Sequence, residues 1–92
     1  MNNLFVSYDL NSPGRDYERA FAAIESLGAA IRVQKSFWFV KSALTAKQAV
    51  DRLWSHFDRN DSLIVVDATN KSAAWQGVAQ DLSKWIQENW SR

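Results

Sequence analysis

The sequence predicts an α+β fold of the ferredoxin-like βαββαβ type, with an antiparallel sheet, helices on one face and an additional C-terminal helix. Residues 4–10 alternate between apolar and polar side chains, which is typical of a strand. A second stretch, 30–41, is rich in β-branched and aromatic residues and is long enough for two strands. Apolar positions with helical spacing follow each of these stretches. Ninety-two residues suffice for a single domain, 1–92.

The first helix is predicted from Ser12, a possible N-cap followed by Pro13, to about residue 27. Asp16 is a competing cap, and Gly28 is a natural stop signal. One face of this helix is apolar and consists of Tyr17, Ala20, Phe21, Ile24 and Leu27.

The stretch after the first helix is predicted to be a hairpin that turns at Lys35 and Ser36. One straight strand would place Lys35 on the same face as Val33 and Phe37, which is costly for a charge without a partner. Two strands, 31–34 and 37–41, avoid this cost, although tight hairpins usually have Gly or Asn at the turn.

Thr45 and Gln48 form a capping-box pattern that opens the second helix. Its inward residues are expected to be Ala49, Val50, Leu53, Trp54 and Phe57. The apolar run 63–66 predicts a buried strand. A last helix is expected from about 72 to 90, with Gly77 as a point where it can break. Its apolar stripe comprises Val78, Leu82, Trp85 and Ile86.

The ferredoxin-like strand order is 4-1-3-2, which predicts where the acidic residues lie. Asp9, at the end of the first strand, is expected beside the start of the third strand and beside Asp61, which precedes the fourth. Asp67 is expected at the opposite end of the sheet.

Composition narrows the classes of function. Eleven basic and ten acidic residues give a net charge of +1, which neither requires nor excludes a nucleic-acid partner. The absence of cysteine excludes disulfides and thiolate zinc sites. With no signal peptide or long apolar run, we expect a soluble cytoplasmic protein without membrane contact. Five tryptophans in a short chain suggest more apolar surface than one core needs, and hence a homodimer.

Two segments, VSYDL from Val6 and IRVQKSFWF from Ile31, resemble the CRISPR-associated "Cas two" family. The first resembles that family's first strand, and the second resembles its RVQxSVFE stretch. The resemblance covers roughly residues 4–67, and it extends to VapD-type toxin ribonucleases and SinR-annotated proteins. Two features depart from the family pattern: Phe39 stands where the family has an acid, and a Trp-rich helical segment replaces the C-terminal strand.

The resemblance implies a ferredoxin-like homodimer that acts as a metal-dependent endonuclease or endoribonuclease, or as a DNA-binding adaptor without catalysis. It implies that Asp9 is the catalytic residue and a Mg²⁺ ligand, with one such aspartate from each protomer. It also implies an integrase partner if the chain belongs to a CRISPR system, whereas a VapD-like toxin ribonuclease would act outside one.

Asp9 is therefore a candidate metal ligand together with its symmetry mate or Asp61, since Mg²⁺ binds one or two carboxylates and retains several waters. The alternative is a strand-end residue that accepts hydrogen bonds from the loop amides of Asn11 and Ser12. From the residues alone, both interpretations stay open.

Basic and polar residues near the Asp9 end are candidates for nucleic-acid binding, because arginine binds phosphate with two parallel hydrogen bonds. These are Arg15, Arg19, Arg32, Lys35 and Ser36. The alternative for the helix arginines is a solvated face. The sheet face without helices is expected to be a dimer interface, formed by Phe5, Ser7 and Trp38.

Overall fold

A computed structural model describes residues 1–12 and 17–90. Its elements are β1 (Asn2–Asp9), α1 (Glu18–Glu25), β2 (Gly28–Gln34), β3 (Phe37–Ser42), α2 (Ala46–Trp54), β4 (Ser62–Asp67) and α3 (Gln80–Asn89). The α+β class is confirmed. Within these ranges, no helix has the length and apolar character needed to cross a membrane.

The four strands form one antiparallel sheet in the order β2-β3-β1-β4. Asp9 lies opposite Ser62, and the amide of Tyr8 donates to the carbonyl of Ser36 at 3.2 Å. Asp67 pairs with Leu4 at the other end of the sheet. The predicted neighbours of Asp9 and the distant position of Asp67 are therefore confirmed.

The first face of the sheet is covered by α1 and α2. Alternation along the two central strands directs Leu4, Val6 and Tyr8 of β1 to this face, together with Trp38 and Val40 of β3. The helices and the turn after α2 contribute a set of buried apolar residues: Ala20, Ala23, Ile24, Ala49, Leu53 and Phe57. Each of these six residues lies on a face that the helical periodicity predicts to be apolar, except Ala23.

The second face of the sheet is covered by α3 and Trp90, which we call the C-terminal segment (residues 80–90). Phe39 is wholly buried, with its ring centroid 5.7 Å from that of Trp85 and 5.6 Å from that of Trp90. Phe5 lies 5.8 Å from Trp90 and stacks on Phe37 at 5.1 Å. The prediction of helices on one face therefore holds for α1 and α2, while α3 packs on the other face.

Helix boundaries differ from the sequence-based prediction at two starts. The first helix begins at Glu18, and its N-cap position is Tyr17, without a side-chain cap. The hydroxyl of Ser12, predicted to cap this helix, instead donates to Asp58. Pro13 and the competing cap Asp16 lie outside the described residues. The last helix begins at Gln80 and not near residue 72.

Glycine and turn signals account for other local features. The last helix starts late because the chain turns first at Gly77, whose φ of 72° favours glycine. Gly28, predicted as a helix stop, is the first residue of β2, where a Cβ would lie 1.9 Å from the carbonyl oxygen of Lys41. The turn at Lys35 and Ser36 and the capping box at Thr45 are both confirmed.

We expect Trp90→Ala to lower the free energy of unfolding by about 2 kcal/mol, because it removes a ring that packs on both Phe5 and Phe39. Trp54→Ala is the matched control, since Trp54 is 40% exposed on α2 and should cost less than about 1 kcal/mol. Urea denaturation measures both values. Equal losses for the two variants would contradict the covering role of the C-terminal segment.

Candidate functional site

A buried carboxylate, Asp61, joins the β1–α1 loop to the α2–β4 loop at the Asp9 end of the sheet. Its Oδ1 accepts hydrogen bonds from the Asn11 amide and the Tyr17 hydroxyl, both at 2.7 Å. Its Oδ2 accepts from the Asp58 amide, also at 2.7 Å. Asp61 is 7% exposed. It therefore ties the end of β1, the start of α1 and the turn after α2 to one another.

The charge of Asp61 is stabilised by these donors. Burial raises the pKa of its carboxyl, but the hydrogen bonds from Asn11, Tyr17 and Asp58 outweigh burial and hold the pKa below the ordinary value of 3.8. Burial and then the hydrogen bond to Asp61 raise the pKa of Tyr17 above 10.0. The pair is thus a tyrosine hydroxyl that donates to an ionised carboxylate.

Asp58 is a second carboxylate that connects the same two loops by hydrogen bonds. Its Oδ2 accepts from the Ser12 hydroxyl at 2.5 Å and from the Asn60 amide at 3.0 Å. The side-chain amide of Asn11 donates to the Asn60 carbonyl at 3.1 Å. The segment after β1 is consequently fixed against the turn before β4 by several bonds between side chains and backbone.

Asp9, the candidate catalytic residue and metal ligand, is exposed at the end of β1. Asp61 is the neighbour that the sequence proposes as a second ligand, but its oxygens already accept three hydrogen bonds. Asp9 is the carboxylate that remains accessible to an ion. Among residues 1–12 and 17–90, no group of three or more His, Cys, Asp or Glu side chains is arranged to hold a metal.

The β2–β3 turn is organised around the carbonyl oxygen of Lys35. The Tyr8 hydroxyl donates to this oxygen at 3.2 Å, and Arg32 donates from Nε at 3.0 Å and from Nη2. The indole of Trp38 donates in turn to the Tyr8 hydroxyl at 3.0 Å. These bonds explain why a Lys-Ser turn forms without the Gly or Asn that such hairpins usually have.

Arg32 is held in place while it stays exposed. Its guanidinium carbon lies 4.8 Å from the centre of the Phe21 ring and 5.9 Å from that of Trp38, within cation–π range. A guanidinium has five N–H donors, and the Lys35 carbonyl occupies two of the groups that carry them. Donors therefore remain for a ligand, next to the exposed Lys35 and the half-buried Ser36.

The other predicted site residues lie in three places. Arg19 is exposed in α1, two residues after Tyr17, and so belongs to the Asp9 end. Arg15 lies outside the described residues. Phe5 and Ser7 are half-buried on the second face, which the sequence predicts to be a helix-free dimer interface but which is covered in part by Trp85 and Trp90 of the same chain. Trp38, which the sequence groups with them, is directed to the first face and is 6% exposed there.

Sequence reasoning did not identify Tyr8, Asp58 and Phe21 as parts of this site. Tyr8 and Phe21 have apolar positions in regular patterns, and these patterns say nothing about their contacts with Trp38 and Arg32. The role of Asp58 could have been predicted, because the acidic and amide residues in 58–61 favour hydrogen bonds from nearby backbone amides to their side chains.

Comparisons of the chain with protein-family models, curated proteins and solved structures found no match. The geometry of the site and the sequence resemblance are therefore the grounds for a function.

We expect Asp61→Asn to lower the free energy of unfolding by about 1–3 kcal/mol at pH 7, because an amide leaves buried donors without their charged acceptor. The lowered pKa implies that the carboxylate stabilises the fold above about pH 4 and that this contribution is lost as the pH falls through the folded-state value. Denaturant titrations from pH 7 down to pH 2 measure this loss in the wild type, and the variant should lack that component.

Asp51→Asn is the matched control for this experiment. Asp51 is exposed and pairs with Lys47 at 2.7 Å on the surface of α2, where such pairs contribute little. A profile for Asp61→Asn that coincides with the Asp51→Asn profile would contradict the role of Asp61 in joining the two loops.

Proposed function

We propose that this chain is a ferredoxin-like homodimer that binds nucleic acid through the β2–β3 turn and the adjoining Asp9 end of the sheet. The strand order, counted from the β4 edge, is 4-1-3-2, which supports the ferredoxin-like assignment. The resemblance of residues 4–67 to the CRISPR-associated "Cas two" family supports the same class of function, either as an adaptor beside an integrase or as a stand-alone VapD-like relative.

The observation that carries the proposal is the fixed and exposed Arg32. Two hydrogen bonds and two aromatic rings hold its guanidinium before any ligand arrives, so little side-chain entropy is lost on binding. Arginine presents planar paired donors to phosphate oxygens. Lys35, three residues later at the turn, adds a second cation, and Ser36 adds a hydroxyl.

Two of the acidic residues near this surface, Asp61 and Asp58, have their negative charge compensated by hydrogen-bond donors. Asp61 is buried, and its charge is compensated by three hydrogen-bond donors. Asp58 accepts from Ser12 and Asn60. Asp9 and Glu18, which opens α1, are exposed carboxylates at this end, and a phosphate backbone can approach the turn with a cation between itself and Asp9. Electrostatic contacts of this kind bind without reading the sequence of bases.

We expect Lys35→Gln to weaken binding of single-stranded RNA and DNA about three- to tenfold at 100 mM salt and to reduce the salt dependence of the affinity by roughly one ion. The substitution removes a charge and leaves the backbone carbonyl that Arg32 and Tyr8 hold. Fluorescence anisotropy with labelled 20-nucleotide strands at several salt concentrations measures both effects.

Lys47→Gln is the control, because Lys47 is an exposed cation at the start of α2 and pairs with Asp51. Arg32→Lys keeps the charge but loses the planar donors, and it should weaken binding with a smaller change in salt slope. If Lys35→Gln and Lys47→Gln bind equally well, the β2–β3 turn is not the binding surface.

A second candidate function is phosphodiester cleavage supported by Mg²⁺, and it is favoured by the exposed carboxylate of Asp9, which follows Tyr8, the residue whose amide bonds to Ser36 of the basic turn. Asp9 would hold the ion, with waters and a substrate phosphate completing its coordination. The bound ion would polarise the phosphate and activate a water. Arg32 and Lys35 would position the strand.

We expect Asp9→Asn to abolish any Mg²⁺-dependent cleavage of RNA or DNA while it leaves metal-free binding within about twofold, since the amide keeps the size of the side chain but is a poor ligand for Mg²⁺. Cleavage assays with and without chelator, alongside anisotropy, separate the two effects. Cleavage that survives Asp9→Asn unchanged would refute the role of Asp9. Binding without any turnover in the wild type supports the adaptor function.

A further inference from the structure

The two edges of the sheet differ in how far they are protected from pairing. At one edge, β2 contains a register shift between Arg32 and Gln34, an irregularity that discourages further pairing. At the other edge, β4 pairs with β1 over six consecutive residues without a shift. Its sequence, SLIVVD, contains no proline and no lysine. By these criteria β4 is an open edge.

Two side chains of β4 on the second face are apolar and exposed. Ile64 is 62% exposed and Val66 is 51% exposed. The C-terminal segment covers Phe39 and packs on Phe5, which belong to β3 and β1, and leaves the neighbouring Ile64 and Val66 open to solvent. Two adjacent exposed β-branched residues on an edge strand are typical of a contact surface.

The hydrogen-bonding pattern shows which backbone groups of β4 point away from the sheet. The amide of Ala68 donates to the carbonyl of Asn3 at 2.8 Å. Because bonded positions alternate along an antiparallel ladder, the even-numbered residues of β4 bond to β1. The amide and carbonyl groups of Leu63, Val65 and Asp67 therefore point outward.

We propose that β4 pairs with β4 of a second copy of this chain, antiparallel and centred on Val65, to form a continuous eight-stranded sheet. In this register Val65 faces Val65 of the second copy and Leu63 faces Asp67, so that the six outward amides all find acceptors. Ile64 and Val66 become non-bonded neighbours across the axis, the type of pair whose side chains approach most closely.

Backbone pairing selects this register over its two nearest alternatives. Centring the pair on Ile64 would place Asp67 opposite Asp61 of the second copy, whose amide already donates to the carbonyl of Asp58. Centring it on Val66 would place Leu63 opposite Thr69, whose amide already donates to the Asp67 carboxylate. Centring it on Val65 places Asp67 opposite Leu63 and brings the exposed apolar residues of both copies together. Because the β4 edge is complementary to the same edge of a second copy, it suits a dimer with a twofold axis.

The inference rests on the homodimer of the proposed function and identifies its interface. Light scattering after size exclusion should give twice the 10.5 kDa chain mass for the wild type. Val66→Lys places a charge on the edge and should raise the dimer dissociation constant at least about tenfold. Ala22→Lys, at an exposed position of α1, is the matched control and should stay dimeric. Circular dichroism verifies the fold of both variants.

Cysteine pairing tests the register in a chain that has no cysteine of its own. A mixture of Ile64→Cys and Val66→Cys should oxidise to a disulfide-linked dimer, because these positions face each other at about 4.5 Å between Cα atoms. Neither variant alone should cross-link, since like positions are about 8 Å apart.

The outcomes separate the interface from the rest of the proposed function. A wild type that is monomeric up to about 0.5 mM, far above a micromolar dissociation constant, overturns both the homodimer and its interface. A dimer that tolerates Val66→Lys and gives no mixed cross-link overturns the β4 interface and leaves the homodimer standing. Self-cross-linking of Ile64→Cys overturns the register. Binding by the β2–β3 turn is measured independently through Lys35→Gln.

Discussion

The structure depends on the burial of its two central strands from both sides. β1 directs Leu4, Val6 and Tyr8 to one face and Phe5 to the other, and β3 likewise has large apolar side chains on both faces. A sheet of this kind needs two covering layers. The helices α1 and α2 supply the first layer, and the tryptophans of the C-terminal segment supply the second. The high aromatic content of this short chain therefore reflects a second covering layer, in which Trp85 and Trp90 pack on the sheet.

The same constraint leaves two parts of the molecule available for partners. The C-terminal segment reaches Phe5 and Phe39 but leaves Ile64 and Val66 exposed, so the uncovered apolar surface lies along one edge. At the Asp9 end, hydrogen bonds to Asp61 and to the Lys35 carbonyl fix the loops in addition to apolar packing, and they leave Arg32 exposed. The polar end can therefore hold Arg32 rigidly in water, which suits the recognition of phosphate.

Much of the fold could be predicted from the sequence, because alternation and capping act locally. The turn at Lys35, the capping box at Thr45 and the position of Asp9 beside Asp61 all follow from patterns within a few residues or from the strand order. The starts of α1 and α3 could not be predicted. Ser12 donates to Asp58 and does not cap α1, and the chain before Gln80 turns at Gly77 and lines a cavity with Phe5 and Phe37 of the sheet. Long-range hydrogen bonds override local capping signals in this way.

The proposed β4–β4 dimer limits how Asp9 could bind Mg²⁺. In a β4–β4 dimer centred on Val65, the two Asp9 residues lie at opposite ends of the paired strands, about 20 Å apart along the strands and about 14 Å apart across them. Two carboxylates that share one Mg²⁺ must each lie about 2.1 Å from it. The edge dimer therefore excludes a metal centre built from both aspartates. Each Asp9 would act alone, with waters and a substrate phosphate completing the coordination of its ion.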